Sequence, residues 1–186
     1  RLTHPDRYRE TELGGLLSDI LQESLGLDIM LMGSGGIRLK EMGPLVTFAD
    51  FTRCLPYDDP VYMLTVTGSQ LKKMMLYVLR EEVWQGAHTE FYQLSKGLKV
   101  VYDRQKKQLL EFSFNGIPIT DSRPFKIGLE KYHFVNFEEF LGIPLAEVEA
   151  NRKITVVSTS EKDVIEEYLT THQHLDRETD GRLTLI

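Results

Sequence analysis

The segment Asp28–Arg38, read D-I-M-L-M-G-S-G-G-I-R, constrains the fold of this chain more than any other. Ile29, Met30, Leu31 and Met32 form an unbroken apolar run suited to a buried strand. The run stops at Gly33, Ser34, Gly35 and Gly36, and Arg38 follows. Such a strand delivers a glycine loop and a cation to one place. Glycines permit positive φ and close approach of a ligand, and a guanidinium is a forked donor for phosphate, carboxylate or a sugar hydroxyl. The loop lacks the Gly-Lys-Ser/Thr ending of a P-loop and does not spell G-x-G-x-x-G. A tight turn carrying a surface arginine is the plain alternative.

The flanking residues predict helices and strands without strict alternation. Leu13, Leu16, Leu17, Ile20, Leu21 and Leu25 recur at helical spacing between an N-cap at Thr11 and a stop at Gly26. Gly14 and Gly15 disfavour a helix by about 1 kcal/mol each against alanine, so close packing is expected there. Thr47 with Asp50 forms a capping box for a short helix that Pro56 ends. Val61–Thr67 reads as a strand, and Thr67 caps a helix over 68–83. Leu98–Tyr102, Leu109–Phe114 and the Asn115-Gly116 turn form a meander, and Phe125–Leu129 is another strand. The aromatic and acidic stretch 132–140 reads as a loop or a helix start, Pro144–Ala150 as one or two helical turns and Ile154–Val157 as a strand. Ser160 caps a helix over 161–171, and a last edge strand closes the chain. The class is α+β, one globular unit over 1–186 with a mixed β-sheet flanked by helices.

Composition excludes several functions. A net charge of −6 and a pI near 5.4 leave no basic face for nucleic acid or an anionic membrane. The single cysteine, Cys54, rules out an intramolecular disulfide, and it sits on the apolar side of a short helix, where a thiol is inert. No apolar run approaches about 18 residues and no leader is visible, which leans toward the cytoplasm. The chain opens on Arg1 rather than methionine, so a longer parent is expected. His172 and His174 lack partners at metal-ligand spacing. Ser34 does not sit in G-x-S-x-G. The pattern is one of binding, not bond breaking.

Three ingredients of a ligand site remain. Arg7, Arg9 and Arg38 can clamp an anion. Tyr57 and Tyr132 can stack on a flat ring. Asp58, Asp59, Glu138 and Glu139 can accept from an amino group or a ribose hydroxyl. Unrelated surface groups would look the same.

Taken in order, R-x-R-E-T-E-L-G-G-L-L-S-D (Arg7–Asp19), G-S-G-G-I-R (Gly33–Arg38), G-P-L-V-T-F-A-D…L-P-Y (Gly43–Tyr57), L-T-V-T-G-S-Q-L-K (Leu64–Lys72) and the hairpin from Gly97 resemble the C-terminal domain of the 5′-nucleotidase / UDP-sugar hydrolase family. The likeness runs to about Leu129 and then weakens. It implies that Arg7 and Arg38 line a substrate cleft, that Tyr57 and Tyr132 sandwich a base, and that Gly35 and Gly36 make room. Gly33 stands where the family's loop carries asparagine, and Glu138 falls where the family has a ribose-binding acid, without the neighbouring glycines. The resemblance further implies a nucleotide or related phosphate-ester substrate. Its partner would be an N-terminal metallophosphoesterase domain carrying two divalent metal ions, with this chain catalytically inert alone. The rival expectations are an interaction domain that kept the fold and lost the pocket, and an enzyme using Ser34.

Overall fold

In a computed structural model describing residues 1–186, the apolar run 29–32 lies at the centre. The elements in order are β1 (Leu2–Thr3), α1 (Glu12–Leu25), β2 (Ile29–Gly33), β3 (Glu41–Met42), α2 (Phe48–Cys54), β4 (Val61–Thr67), α3 (Gly68–Val78) and β5 (Tyr92–Leu94). There follow β6 (Leu98–Asp103), β7 (Gln108–Phe114), β8 (Ile117–Pro118), β9 (Pro124–Glu130), α4 (Lys131–Val135), α5 (Phe137–Leu141), α6 (Leu145–Glu149), β10 (Thr155–Ser158), α7 (Glu161–Thr171) and β11 (Leu183–Leu185). The main sheet runs β10-β4-β9-β2-β5, with β2 and β9 parallel and the other pairs antiparallel. A second sheet runs β11-β6-β7-β8, and β1 pairs with β3. The protein is α+β with mixed sheets flanked by helices.

Alternation along β2 explains why its sequence is apolar throughout. Ile29 and Leu31 enter one core, shared with α3, α5 and the second sheet, while Met30 and Met32 enter another, shared with α1, α2 and α7. Both faces are covered, so no position can be polar.

The local start signals hold. Thr11, Thr47, Thr67 and Ser160 cap α1, α2, α3 and α7 through their side chains, and capping boxes close the starts of α2 and α3. Gly14 and Gly15 admit the side chains of Gln93 and Arg177 against α1. The expected helix 68–83 is shorter. It ends at Val78, Arg80 turns extended, and its guanidinium stacks 3.7 Å over the Tyr77 ring and donates to the Tyr77 carbonyl at 2.7 Å. The same carbonyl also accepts from the Arg80 amide at 3.3 Å. Residues 81–84 then form a separate 3₁₀ turn. The aromatic stretch after β9, open between loop and helix from sequence, makes two short helices that meet at Asn136. No helix is long and apolar enough to cross a membrane.

Because β2 and β9 run parallel, they end side by side, at Gly33 and Glu130. The Gly33 amide donates to Glu130 Oε2 at 2.9 Å. At this end of the sheet, residues from distant parts of the chain converge.

Candidate functional site

A cavity of about 500 Å³ opens at the ends of β2 and β9. Its rim carries Arg7, from the turn before α1, and Arg38, whose amide is tied to the Cys54 carbonyl at the end of α2. Tyr57 comes from the corner between α2 and β4, and Tyr132 from α4. Gly35 and Gly36 line the wall between them. Six of the eight residues expected from sequence therefore share one cavity.

The glycines act by size rather than by backbone sign. Gly33, Gly35 and Gly36 all avoid positive φ, contrary to the expectation for the loop. At Gly35 a side chain would meet Arg7 Nη2 at 2.7 Å, so the glycine lets the guanidinium lie flat against the loop. Gly36 faces open space. Gly33 does not reach the cavity surface; its place beside β9 is filled by the His133 imidazole.

Glu138 does not join the others. Its Oε1 accepts from the Leu145 amide at 3.3 Å, pinning the turn between α5 and α6. Without the glycines expected around it, the segment forms α5 and carries this carboxylate away from the cavity. Asp58 also serves the fold, accepting from Ser160 Oγ at 2.8 Å. Asp59 lines the cavity while holding two helix starts, through the Tyr132 amide on its carboxylate and the Glu161 amide on its carbonyl. The Tyr77 hydroxyl donates to the Glu139 carbonyl. Ser34 is fully buried and its hydroxyl accepts from Gln93 at 2.8 Å, so it presents no nucleophile.

Sequence reasoning missed the inner wall: Glu130, His133, Glu161 and Glu90, with His88 at the mouth. Glu130, His133 and Glu161 are buried, and burial disfavours the charged form of each. It raises Glu130 to about 7, against the Gly33 amide and with help from Asp59. It raises Glu161 to about 9, reinforced by Glu130 and Asp59. It lowers His133 to about 4, and Arg7 adds to the effect. His133 Nδ1 lies 3.0 Å from the buried Tyr92 hydroxyl. Burial also raises Glu90, although Arg7 Nη2 stands 3.6 Å away. On the rim, Arg38 donates to the Tyr57 hydroxyl at 3.1 Å and lies over its ring.

Residues 2–142 match the family model described as 5′-nucleotidase, C-terminal domain. The chain belongs to this family. Within the 5′-nucleotidase C-terminal domain family it is 22% identical over 170 residues to protein UshA of Yersinia enterocolitica, a match covering 91% of this chain and 29% of that protein. The fold resembles the 5′-nucleotidase precursor of Thermus thermophilus, with a TM-score of 0.76 at 17% identity, covering 97% of this chain and 36% of that one. It also resembles the NAD nucleotidase of Haemophilus influenzae, with a TM-score of 0.72 at 16% identity, covering 93% and 32%. The chain thus spans about a third of the length of these relatives.

No group of three or more His, Cys, Asp or Glu side chains is placed to hold a metal ion, so these residues do not fit a two-metal centre. His172 and His174 line a different, largely apolar depression beside residues 42–48, where His172 stacks on Tyr168 at 3.9 Å.

Proposed function

We propose that this chain is the substrate-binding domain of a metal-dependent 5′-nucleotidase-like phosphohydrolase, gripping the nucleoside part of a nucleotide or related phosphate ester. The observation that carries this reading is the convergence of Arg7, Arg38, Tyr57 and Tyr132 on one cavity from four separate segments. Two exposed aromatic rings offer π faces to a base, and two guanidiniums suit ribose and phosphate oxygens. Bond breaking belongs to an N-terminal metallophosphoesterase domain with two divalent ions, which would activate water and polarise the phosphoryl group.

The test is equilibrium dialysis of the chain against adenosine 5′-monophosphate, paired with a phosphate-release assay in Mn²⁺ or Mg²⁺. Saturable binding without phosphate release supports the proposal, and phosphate release by the chain alone contradicts it. A second reading, an interaction domain that retained only the fold, is favoured by the Arg38–Tyr57 hydrogen bond, which occupies two ligand groups with each other. It predicts no saturable nucleotide binding.

A further inference from the structure

We infer that the pocket favours a nucleotide whose ring carries a positive charge, received by Glu161 and Glu130 at the inner wall. The inference rests on the proposed nucleotide-binding reading and concerns which ring the site prefers.

Glu161 is only 4% exposed, lines the cavity, and has a side-chain oxygen, Oε2, that is buried without any hydrogen-bond partner. A buried, unpartnered carboxyl oxygen is costly, and native structures rarely keep one without a reason. Glu130, 6% exposed, gives one oxygen to the Gly33 amide and faces the same cavity. Asp59 adds a further carboxyl group to the lining and Asp58 stands behind at the start of α7, whereas Glu90 is paired with Arg7 at 3.6 Å. The basic groups on this cavity, Arg7 and Arg38, lie toward the glycine loop, where Arg7 packs on Gly35 and Arg38 on Tyr57. His133 contributes no positive charge near neutrality.

A ligand with an anionic end and a cationic ring matches this division. Its phosphate meets the arginines, and its ring lies among carboxyl groups and tyrosine faces, which attract cations. Burial favours the protonated form of Glu161. A cation entering beside it favours the carboxylate and expels the proton to solvent. Glu161 opens α7, beyond the residues 2–142 that the family model matches.

Two isomeric probes isolate charge from size: 1-methyladenosine 5′-monophosphate, whose ring is cationic near pH 7, and N6-methyladenosine 5′-monophosphate, whose ring is neutral. Each is titrated into the 186-residue chain by NMR, and calorimetry in two buffers of different ionisation heat counts released protons. The inference expects at least tenfold tighter binding of the cationic isomer, proton release with that isomer alone, and loss of the difference in Glu161→Gln. Equal binding of the isomers overturns the preference and leaves nucleotide binding standing, whereas binding of neither overturns both. A preference that survives Glu161→Gln also contradicts the assignment. Should that variant fail to fold, cationic binding by the wild-type chain without proton release contradicts it equally.

Discussion

The imidazole of His133 fills the space beside Gly33 that any side chain there would need. Gly33 itself has ordinary extended backbone angles, φ −61° and ψ 113°, so the requirement for glycine comes from this neighbour and not from the chain's own conformation. An Asn at residue 33 and a buried histidine at residue 133 are therefore mutually exclusive in this packing. Gly33→Ala is expected to destabilise by about 1–3 kcal/mol through overpacking. Combined with His133→Ala, it should show a coupling of about 0.5–3 kcal/mol in denaturant unfolding. Strictly additive effects would mean that the two residues do not share space.

Stability should depend on pH in two windows of opposite sign. His133 is held near 4 when folded, below its ordinary 6.5, so the unfolded chain binds its proton first. Stability from this group is full above the unfolded value and is lost as pH falls from about 6.5 toward 4, by about 3 kcal/mol at most. Glu161, raised to about 9 from an ordinary 4.5, works the other way. The folded chain keeps a proton that the unfolded chain gives up, so stability declines as pH rises from about 4.5 to 9. Thermal melts of Glu161→Gln should show a shallower decline than wild type over that range, and His133→Phe should flatten the acid limb.

The join between α1 and the C-terminal segment rests on a buried ion pair. Arg182, 4% exposed, holds Asp19 with two hydrogen bonds of 2.6 and 3.0 Å and also donates to the Leu94 carbonyl. Arg177 bonds the same carboxylate from a less buried position. Arg182→Ala leaves Asp19 with Arg177 and the Lys96 amide as partners, yet removes its most buried counter-charge. A loss smaller than the penalty of about 3–5 kcal/mol for an uncompensated buried charge is expected, but larger than for Arg177→Ala. Urea midpoints of the two variants decide the order.

Cys54 is fully buried at the end of α2, and burial raises its thiol to about 11. The native chain should resist iodoacetamide at pH 8 and react only when unfolded. Rapid alkylation under native conditions would mean that the end of α2 opens readily.

How much of this is legible in the sequence follows from the range of each cause. The caps at Thr11, Thr47, Thr67 and Ser160 are three-residue interactions, and the apolar run 29–32 reports directly that two faces are covered. The helix after Thr67 ends earlier than its periodicity suggests because Arg80 stops it by binding back onto Tyr77, which periodicity does not register. Arg7, Arg38, Tyr57 and Tyr132 are legible because their residue types announce binding chemistry. Glu130, His133 and Glu161 are not, because their importance lies in burial, set by β9, α4 and α7 meeting at one end of a sheet. One signal is available: Glu130 ends the apolar strand 125–129, and a charge at the end of a buried strand faces either solvent or a site. Glu138 falls outside the site because alignment to a glycine-rich loop carries no weight once the intervening residues form a helix.

Tyr57 is 57% exposed and Tyr132 45% exposed, so both rings are open to a ligand. Loss of base stacking in Tyr57→Ala should weaken nucleotide binding by about 1–3 kcal/mol, roughly 5- to 150-fold. Tyr57→Phe should keep the stacking and free Arg38 from its hydroxyl partner. Dialysis against adenosine 5′-monophosphate measures both, and equal losses in the two variants would argue against stacking.

The most direct test of the binding account is an amide NMR titration of the chain with adenosine 5′-monophosphate. The account predicts saturable shifts concentrated at Gly35, Gly36, Arg38, Tyr57 and Tyr132 and lost in Arg38→Ala. Absence of shifts, or shifts gathered instead around the depression at Leu45–Phe48, would contradict it.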